Sequence, residues 1–223
     1  MEKLIALIGD VHGQFDKSFD ALKKLEEKYE CKADFILQAG DLVPVPNENH
    51  LEKSYREKER ESANAGNFPD YETQKKQIPV PMYFVAGNHE PFSFLEESYP
   101  NGGTLCPDLH YLGRSGSKQI EGFEVSYLSG IFSTKSFKKD RPRYNTNEVM
   151  SINQMRKYRY FNENDIKTIN PKEKPDFLLL HDWPANLVTP IKDGLNNTLN
   201  VPAEDLVTRL KPRVVVCGHF HDK

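Results

Sequence analysis

The sequence predicts a single-domain α/β protein in which sheets and helices pack in layers. Short apolar runs alternate with amphipathic or charged stretches along the chain, which is the pattern of an α/β sandwich. The chain has 223 residues, enough for one domain with a substantial buried core, and we find no internal repeat. Its composition, 37% hydrophobic and 28% charged, is that of a folded globular protein.

The predicted elements follow from apolar periodicity. A helix is predicted over residues 15–29, where apolar side chains recur every three or four positions. A second helix is predicted over residues 202–210, because Pro202 suits a first helical position. The remaining apolar runs are short and bounded by turn residues, as in buried strands. In chain order, the predicted strands are residues 4–8, 35–38, 82–85, 109–112, 118–120, 123–128, 177–180 and 214–217.

Two polar segments interrupt this plan. Residues 44–79 include the run LEKSYREKERE at 51–61, whose evenly mixed charges favour a solvent-facing helix with i,i+4 pairs. Residues 133–162 are rich in basic and aromatic side chains. Neither segment has the apolar content for a core of its own, so we expect both to be insertions into one domain, at about 44–79 and 133–162.

Composition also limits the functional class. The net charge is −3, so any site for a polyanion must be a local patch. The N-terminus does not resemble a signal peptide, and no apolar run is long enough to span a bilayer, so we expect no membrane association. The three widely spaced cysteines are typical of reduced, buried thiols. We therefore expect a cytoplasmic protein, with the nucleus also open and no obligate protein partner evident.

Five polar clusters each follow a predicted strand directly. The carboxyl ends of strands are where α/β sheets place their ligand-binding loops. These clusters can therefore converge on one crevice. In chain order they are DVH at 10–12, GD at 40–41, GNHE at 87–90, HD at 181–182 and GHFH at 218–221.

The residue types in these clusters suit divalent metals. Carboxylate, amide and imidazole groups are ligands for Mn²⁺, Fe²⁺ or Zn²⁺. With only Asp10 and Asp41 as anionic ligands, two such ions would retain a charge of about +2, attract phosphate and acidify a bridging water. Each motif alone is weak, since a single His after a strand is more often structural. However, five of the seven histidines lie in the clusters, and together they favour a two-metal site.

The series DVH, GD, GNHE, H and GHFH resembles the calcineurin-like metallophosphoesterase superfamily over essentially the whole chain. The resemblance implies a four-layer αββα sandwich and hydrolysis of a phosphodiester by a hydroxide that bridges two metals. It also implies that His89 is catalytic, stabilising the transition state and protonating the leaving oxygen. By position, the implied metal ligands are Asp10, His12 and His221 for one metal, Asn88, His181 and His219 for the other, and Asp41 between them.

Within the superfamily, GDVHGQF and GNHE look like protein serine/threonine phosphatases. The second motif here reads GDLVPVP, however, and lacks the second Asp and the Arg of GDxxDRG. A closer similarity is to RNA lariat debranching enzymes, through YPNGGTLCPDLHYLGRSG from Tyr99, SGIF at 129–132 and HDWP at 181–184. In that family the second insertion corresponds to the loop that recognises branched RNA.

Two departures from that family matter. Debranching enzymes often carry Cys at the position of Asp10, and an Asp there implies the ordinary two-metal set and broader phosphodiesterase activity. In addition, the chain stops two residues after His221. Relatives continue with further strands and an extension, so we expect those to be absent here.

The second insertion has the composition of a nucleic-acid site. Cations that reach phosphates, mixed with aromatic rings that stack on bases, are typical of single-stranded nucleic-acid binding. The same residues also fit a solvated loop and a helix whose rings pack inward. The predicted substrate-binding residues are Lys138, Lys139, Arg141, Arg143 and Tyr144.

Three functions stay open at this point. The favoured one is a phosphodiesterase acting on RNA at a 2′,5′-branched or related linkage. The second is a phosphoesterase for small nucleotides that uses the insertion as a lid. The third is a catalytically weak binding protein on the same fold.

Overall fold

The computed structural model describes residues 2–64, 66–145, 148, 150–187 and 199–220. The strands are β1 (Ile5–Ile8), β2 (Phe35–Gln38), β3 (Met82–Phe84), β4 (Gly103–Cys106), β5 (Leu109–Tyr111), β6 (Ser115–Ile120), β7 (Phe123–Leu128), β8 (Phe177–Leu180) and β9 (Val214–Val216). The helices are α1 (Phe15–Tyr29), α2 (Glu48–Ser54), α3 (Glu57–Asn64), α4 (Phe68–Glu72), α5 (Phe92–Ser98), α6 (Ile152–Met155), α7 (Glu163–Lys167) and α8 (Val201–Leu210), with 3-10 turns at Arg156–Arg159 and Ala185–Leu187.

The strands form two sheets. One has the order β1-β2-β3-β5-β4, and the other has the order β6-β7-β8-β9. In the first sheet, β1, β2, β3 and β5 are parallel and β4 is antiparallel. In the second, β7, β8 and β9 are parallel and β6 is antiparallel. The carboxyl ends of the parallel strands in each sheet therefore lie at one edge, where the polar loops follow.

Alternation along single strands creates the layers, because successive strand side chains point to opposite faces. In β2, Phe35 and Leu37 pack into a cluster shared by both sheets, whereas Ile36 packs on the other face with Phe15 of α1. In β8, Leu179 enters the shared cluster while its two neighbours contact α8. Helices thus cover both outer faces, and the predicted four-layer αββα sandwich is confirmed.

The predicted strands agree with the observed ones within a few residues, but β4 was not predicted. Its short sequence GTLC has no alternating pattern, and it forms by antiparallel pairing with β5, the next strand of the sequence. The prediction of one solvent-facing helix at residues 51–61 is wrong. The chain turns to extended backbone at Tyr55, with α2 before it and α3 after it, and both Leu51 and Tyr55 are buried.

In the second segment, the alternative in which aromatic rings pack inward is confirmed for Tyr158 and Phe161. Both side chains are buried, and Phe161 packs against Phe132 and Phe137. An isolated parallel bridge joins Ile131 to Tyr160. No helix in the described part of the chain combines the length and apolar character needed to cross a bilayer.

Candidate functional site

The loops that follow β1 and β2 are held side by side by backbone hydrogen bonds. The amide of Asp10 donates to the carbonyl oxygen of Gly40 over 3.1 Å, and the amide of His12 donates to that of Asp41 over 2.8 Å. Parallel pairing of β1 with β2 sets this register. The side chains of Asp10, His12 and Asp41 are consequently brought together.

Left-handed backbone is concentrated in these loops. The φ angles are 51° at Asp10, 47° at His12, 54° at Asp41 and 73° at His219. Non-glycine residues adopt such angles uncommonly and at a cost in free energy. Four of the predicted ligands thus have strained backbone, which indicates that the surrounding fold dictates their positions and favours a functional reason for them.

Glycine is required at two places because other groups approach it closely. A β-carbon at Gly40 would lie 2.5 Å from Nδ1 of His181, and φ there is 91°. At Gly87, a β-carbon would collide with the carboxylate of Asp41. Both positions therefore exclude a side chain, and the ligand residues can pack directly against backbone.

The carboxylate of Asp41 is the centre of the site. Its Oδ1 accepts a 2.7 Å hydrogen bond from the amide of His89, and its Oδ2 lies 3.4 Å from Nε2 of His181. Asp41 is also the member common to two groups of potential metal ligands, each with its ligand atoms within 4.8 Å of one another. The two groups are Asp41, His181 and His219, and Asp10, His12 and Asp41.

His181 is fully buried and oriented by the fold. Its Nδ1 lies 2.7 Å from the carbonyl oxygen of Ala39, which can only accept, so Nδ1 carries a proton. Its Nε2 therefore faces Oδ1 of Asn88 at 3.1 Å and the carboxylate of Asp41. A backbone acceptor on one ring nitrogen is the usual way of orienting a metal-binding histidine.

The pKa values of these side chains reflect the pairing of Asp41 with His181. Burial alone would lower the pKa of His181, but the charge of Asp41 outweighs it and raises that pKa to about 9. Burial would likewise raise the pKa of Asp41, yet His181 holds it well below its usual value. For His219, burial and the charge of His181 lower the pKa to about 4. At neutral pH the carboxylate of Asp41 is thus ionised, His181 is protonated and the imidazole of His219 is neutral.

Among the described residues of the site, His89 is the exposed one. Its ring meets that of His12 edge-on, with centroids 5.5 Å apart. Packing around the ring lowers the pKa of His89, the charge of Asp41 opposes this, and nearby cations, including Arg159, lower it further. An exposed imidazole beside the potential metal ligands can reach a substrate held against them.

The predicted residues come together as follows. The structure brings one cluster together, which comprises Asp10, His12, Asp41, Asn88, His89, His181 and His219. The predicted ligand His221 lies outside the described residues. Trp183 donates from Nε1 to the carbonyl oxygen of Gly218 over 2.6 Å, so it braces the loop before His219.

The predicted substrate-binding residues divide into two groups. Lys138, Lys139 and Arg143 are exposed. Arg141 instead makes a bidentate ion pair with the buried carboxylate of Asp165, at 2.5 and 2.8 Å. Tyr144 donates to Glu97 over 2.8 Å. Within the protein, Arg141 and Tyr144 therefore already have partners.

Sequence reasoning missed the role of Glu90. This buried carboxylate accepts hydrogen bonds from the amides of Leu42 at 3.0 Å, Val43 at 2.8 Å and Gly87 at 3.1 Å. It thereby ties the loop of Asp41 to the loop of Asn88. Burial and the charge of Asp41 raise the pKa of Glu90 to about 7. Its place at the end of GNHE was the signal available in the sequence.

Tyr55 was also missed. Its hydroxyl donates to the carbonyl oxygen of His89. Behind it, Ser93 bonds to the hydroxyl of Ser54 at 2.8 Å and to Nδ1 of His50 at 3.0 Å. No sequence signal pointed to this contact, because Tyr55 lies within a charged run.

Comparisons with known proteins show the family to which the chain is similar. A family model described as calcineurin-like phosphoesterase matches residues 3–223. The chain is similar to lariat debranching enzyme A of Xenopus laevis, at 30% identity over 98% of this chain and 43% of that protein. It is also similar to the lariat debranching enzyme of Homo sapiens, at 30% identity over 98% of this chain and 42% of that protein. The lariat debranching enzyme of Arabidopsis thaliana is 28% identical over 98% of this chain and 54% of that protein. The chain thus spans about half or less of the length of these relatives.

Proposed function

The chain belongs to the calcineurin-like phosphoesterase family, and from this membership we propose that it is a metal-dependent phosphodiesterase acting on RNA at a 2′,5′-branched or related linkage. The observation that carries the proposal is the carboxylate of Asp41, shared by two groups of potential metal ligands beside the exposed ring of His89. The similarity to lariat debranching enzymes supports RNA as the substrate.

The donors present fit two divalent ions. The carboxylate and imidazole ligand atoms of each group lie within 4.8 Å of one another, and the amide oxygen of Asn88 lies 3.1 Å from Nε2 of His181. These groups are ligands for Mn²⁺, Fe²⁺ or Zn²⁺. In this proposal Asp10, His12 and His221 would hold one ion, Asn88, His181 and His219 would hold the other, and Asp41 would contribute to both. Such ions neutralise phosphate charge and lower the pKa of coordinated water.

The protein's own residues supply position and a proton. The amide of His89 is fixed to Asp41, so the catalytic loop is tied to the proposed metal ligands. In the hydrolysis, a water oxygen forms the new bond to phosphorus, and the bond to the leaving sugar oxygen breaks. The imidazole of His89 donates a proton to that oxygen, which is general acid catalysis.

Recognition of RNA is proposed for the exposed cations of the second segment. Lys138, Lys139 and Arg143 are exposed, and no ion pair holds them within the described part of the chain. The segment is attached to the site, since the amide of Gly130 donates to the carbonyl oxygen of Ala86 over 2.7 Å. Exposed cations in a segment attached beside the site could hold RNA flanking the scissile phosphate.

The test is a substrate panel with Mn²⁺. It compares 2′,5′-branched RNA, linear RNA of the same sequence, cyclic nucleotides and bis(p-nitrophenyl) phosphate. We expect all diesters to be cleaved and branched RNA to be preferred. Preference for the cyclic nucleotides over both RNAs would instead support a small-nucleotide phosphoesterase, and no hydrolysis of any ester would support a binding protein.

A triple variant tests the substrate segment. Replacing Lys138, Lys139 and Arg143 with Ala should weaken RNA cleavage and flatten its salt dependence, because fewer counterions are released on binding. Hydrolysis of bis(p-nitrophenyl) phosphate should be unchanged. The matched control removes three exposed lysines away from this segment, Lys24, Lys172 and Lys174. An equal effect of both triple variants on RNA would contradict the assignment.

A further inference from the structure

Arg159 lies next to the loop that carries the proposed catalytic histidine. The amide of Ile131 donates to the carbonyl oxygen of Arg159 over 2.8 Å. The preceding residue, Gly130, donates its amide to the carbonyl oxygen of Ala86 over 2.7 Å. Ala86 is two residues before Asn88 in the same loop. Only the two-residue segment of Gly130 and Ile131 thus separates the backbone of Arg159 from the loop of Asn88.

This approach requires Gly130. Its φ is 92°, and a β-carbon there would lie 2.5 Å from the carbonyl oxygen of Arg159. Any side chain at that position would push the two segments apart. The close packing of the Arg159 backbone against Gly130 therefore depends on a glycine at that position.

The positive charge of Arg159 acts on two groups of the site, Tyr55 and His89. Burial raises the pKa of Tyr55, and the positive charge of Arg159 opposes that rise. Burial also lowers the pKa of His89, and Arg159 lowers it further. The hydroxyl of Tyr55 bonds to the carbonyl oxygen of His89. The Arg159 charge is therefore within electrostatic reach of both groups, as it is of Glu59.

Arg159 is not fully satisfied within the protein. Among the described side chains, its Nε is the one buried nitrogen or oxygen atom without a hydrogen-bond partner. The neighbouring arginines differ: Arg141 pairs with Asp165, and Arg156 pairs with Glu59 at 2.7 Å. Burial and the charge of Arg156 lower the pKa of the Arg159 guanidinium, although arginine stays protonated. A buried donor without a partner costs free energy, so packing alone does not explain this residue.

We propose that Arg159 binds a non-bridging oxygen of the phosphate that is hydrolysed at this site. The inference rests on the proposed function and adds to it the residue that holds the reacting phosphate. A guanidinium presents a fork of N–H donors that matches two phosphate oxygens. Held beside His89, it would orient the phosphate so that the leaving oxygen faces the imidazole.

This role differs from that of Lys138, Lys139 and Arg143. Those cations would contact phosphates that flank the scissile bond, so their effect should grow with substrate length. Arg159 would contact the reacting phosphate itself. Its effect should therefore be the same for RNA, for bis(p-nitrophenyl) phosphate and for inorganic phosphate.

The experiment measures the binding of inorganic phosphate to the Mn²⁺-loaded protein by calorimetry. Hydrolysis of bis(p-nitrophenyl) phosphate and the Tm are measured in parallel. Arg159→Met should weaken phosphate binding by about 10- to 100-fold, the usual cost of a lost hydrogen bond to a charged group. It should lower kcat/KM by a similar factor without lowering Tm. Arg159→Lys, which keeps the charge but loses the fork, should fall between.

Arg156→Met is the matched control, because Arg156 is adjacent in the chain but paired with Glu59. It should lower Tm and leave phosphate affinity unchanged. Unchanged phosphate affinity in both Arg159 variants would overturn the inference, as would a lower Tm with unchanged affinity. If the wild-type protein binds phosphate through Arg159 but cleaves no ester, the proposed function fails and the phosphate site stands. If the wild type cleaves esters and both Arg159 variants match it, the proposed function stands and the phosphate-binding role of Arg159 fails.

Discussion

The hydroxyl of Tyr55 donates a 2.5 Å hydrogen bond to the backbone carbonyl oxygen of His89. Tyr55 directly follows α2, in the first polar segment, whereas His89 follows β3 in the central sheet. The contact spans 34 positions of sequence and is partly buried. A segment that resembles a surface excursion therefore supports the loop that carries the proposed catalytic residue.

Removing the hydroxyl in Tyr55→Phe should loosen the loop of His89. We expect the free energy of unfolding to fall by about 0.5–1.5 kcal/mol, the usual value of one hydrogen bond, and kcat to fall by up to roughly tenfold. Urea denaturation and steady-state kinetics measure the two effects. Tyr29→Phe is the control, since Tyr29 is 64% exposed. An unchanged kcat together with a lower stability would limit Tyr55 to a structural role.

The two groups of donors that share Asp41 predict the metal stoichiometry. The wild-type protein should bind two equivalents of Mn²⁺, measured by equilibrium dialysis with elemental analysis. Asp41→Asn should lose affinity for both ions, because the shared carboxylate contributes to each group. Asp108→Asn makes the same chemical change at an exposed position and should retain both ions. Saturation of the wild type at one equivalent would argue against the two-metal site.

His89→Ala should retain metal and fold but lose turnover. Removing a positioned general acid usually costs about 10²–10⁴ in rate. The loss should be largest for RNA, whose leaving oxygen needs a proton, and smaller for an activated aryl ester. His110→Ala is the control, since His110 stacks on Tyr83 with centroids 4.9 Å apart and lies outside the polar clusters. Near-wild-type cleavage of RNA by His89→Ala would contradict the assignment of His89 as the general acid.

The ion pair between Arg141 and Asp165 should stabilise the fold. Asp165 is buried, and its carboxylate also accepts from the amide of Asn162 at the start of α7. Asp165→Asn should therefore lower the free energy of unfolding by about 1–3 kcal/mol. Glu163→Gln breaks an exposed pair with Lys167 and should cost well under 1 kcal/mol. Chemical denaturation of both variants makes the comparison, and equal small effects would return Arg141 to the set of candidate RNA contacts.

The fold class and the polar clusters could be read from the sequence because both depend on local patterns. Buried parallel strands appear as short apolar runs, and the loops after them appear as clusters such as GNHE at 87–90. The carboxyl ends of parallel strands meet at one edge, so Asp41 and His181 could be expected together before any coordinates. The strand β4 could not be expected in this way, since pairing with β5 creates it.

Which charged side chains are already paired within the protein was decided only by the tertiary structure. Arg141, Arg156 and Arg159 belong to the same basic segment and look equivalent in sequence. In the fold, Arg141 is paired 24 positions away with Asp165 and Arg156 is paired 97 positions away with Glu59, while Arg159 keeps a buried donor without a partner. Local patterns determine which faces are buried, because burial follows the period of a strand or helix. Pairing between charges depends on distances between segments remote in the chain, and those exist only once the layers have packed.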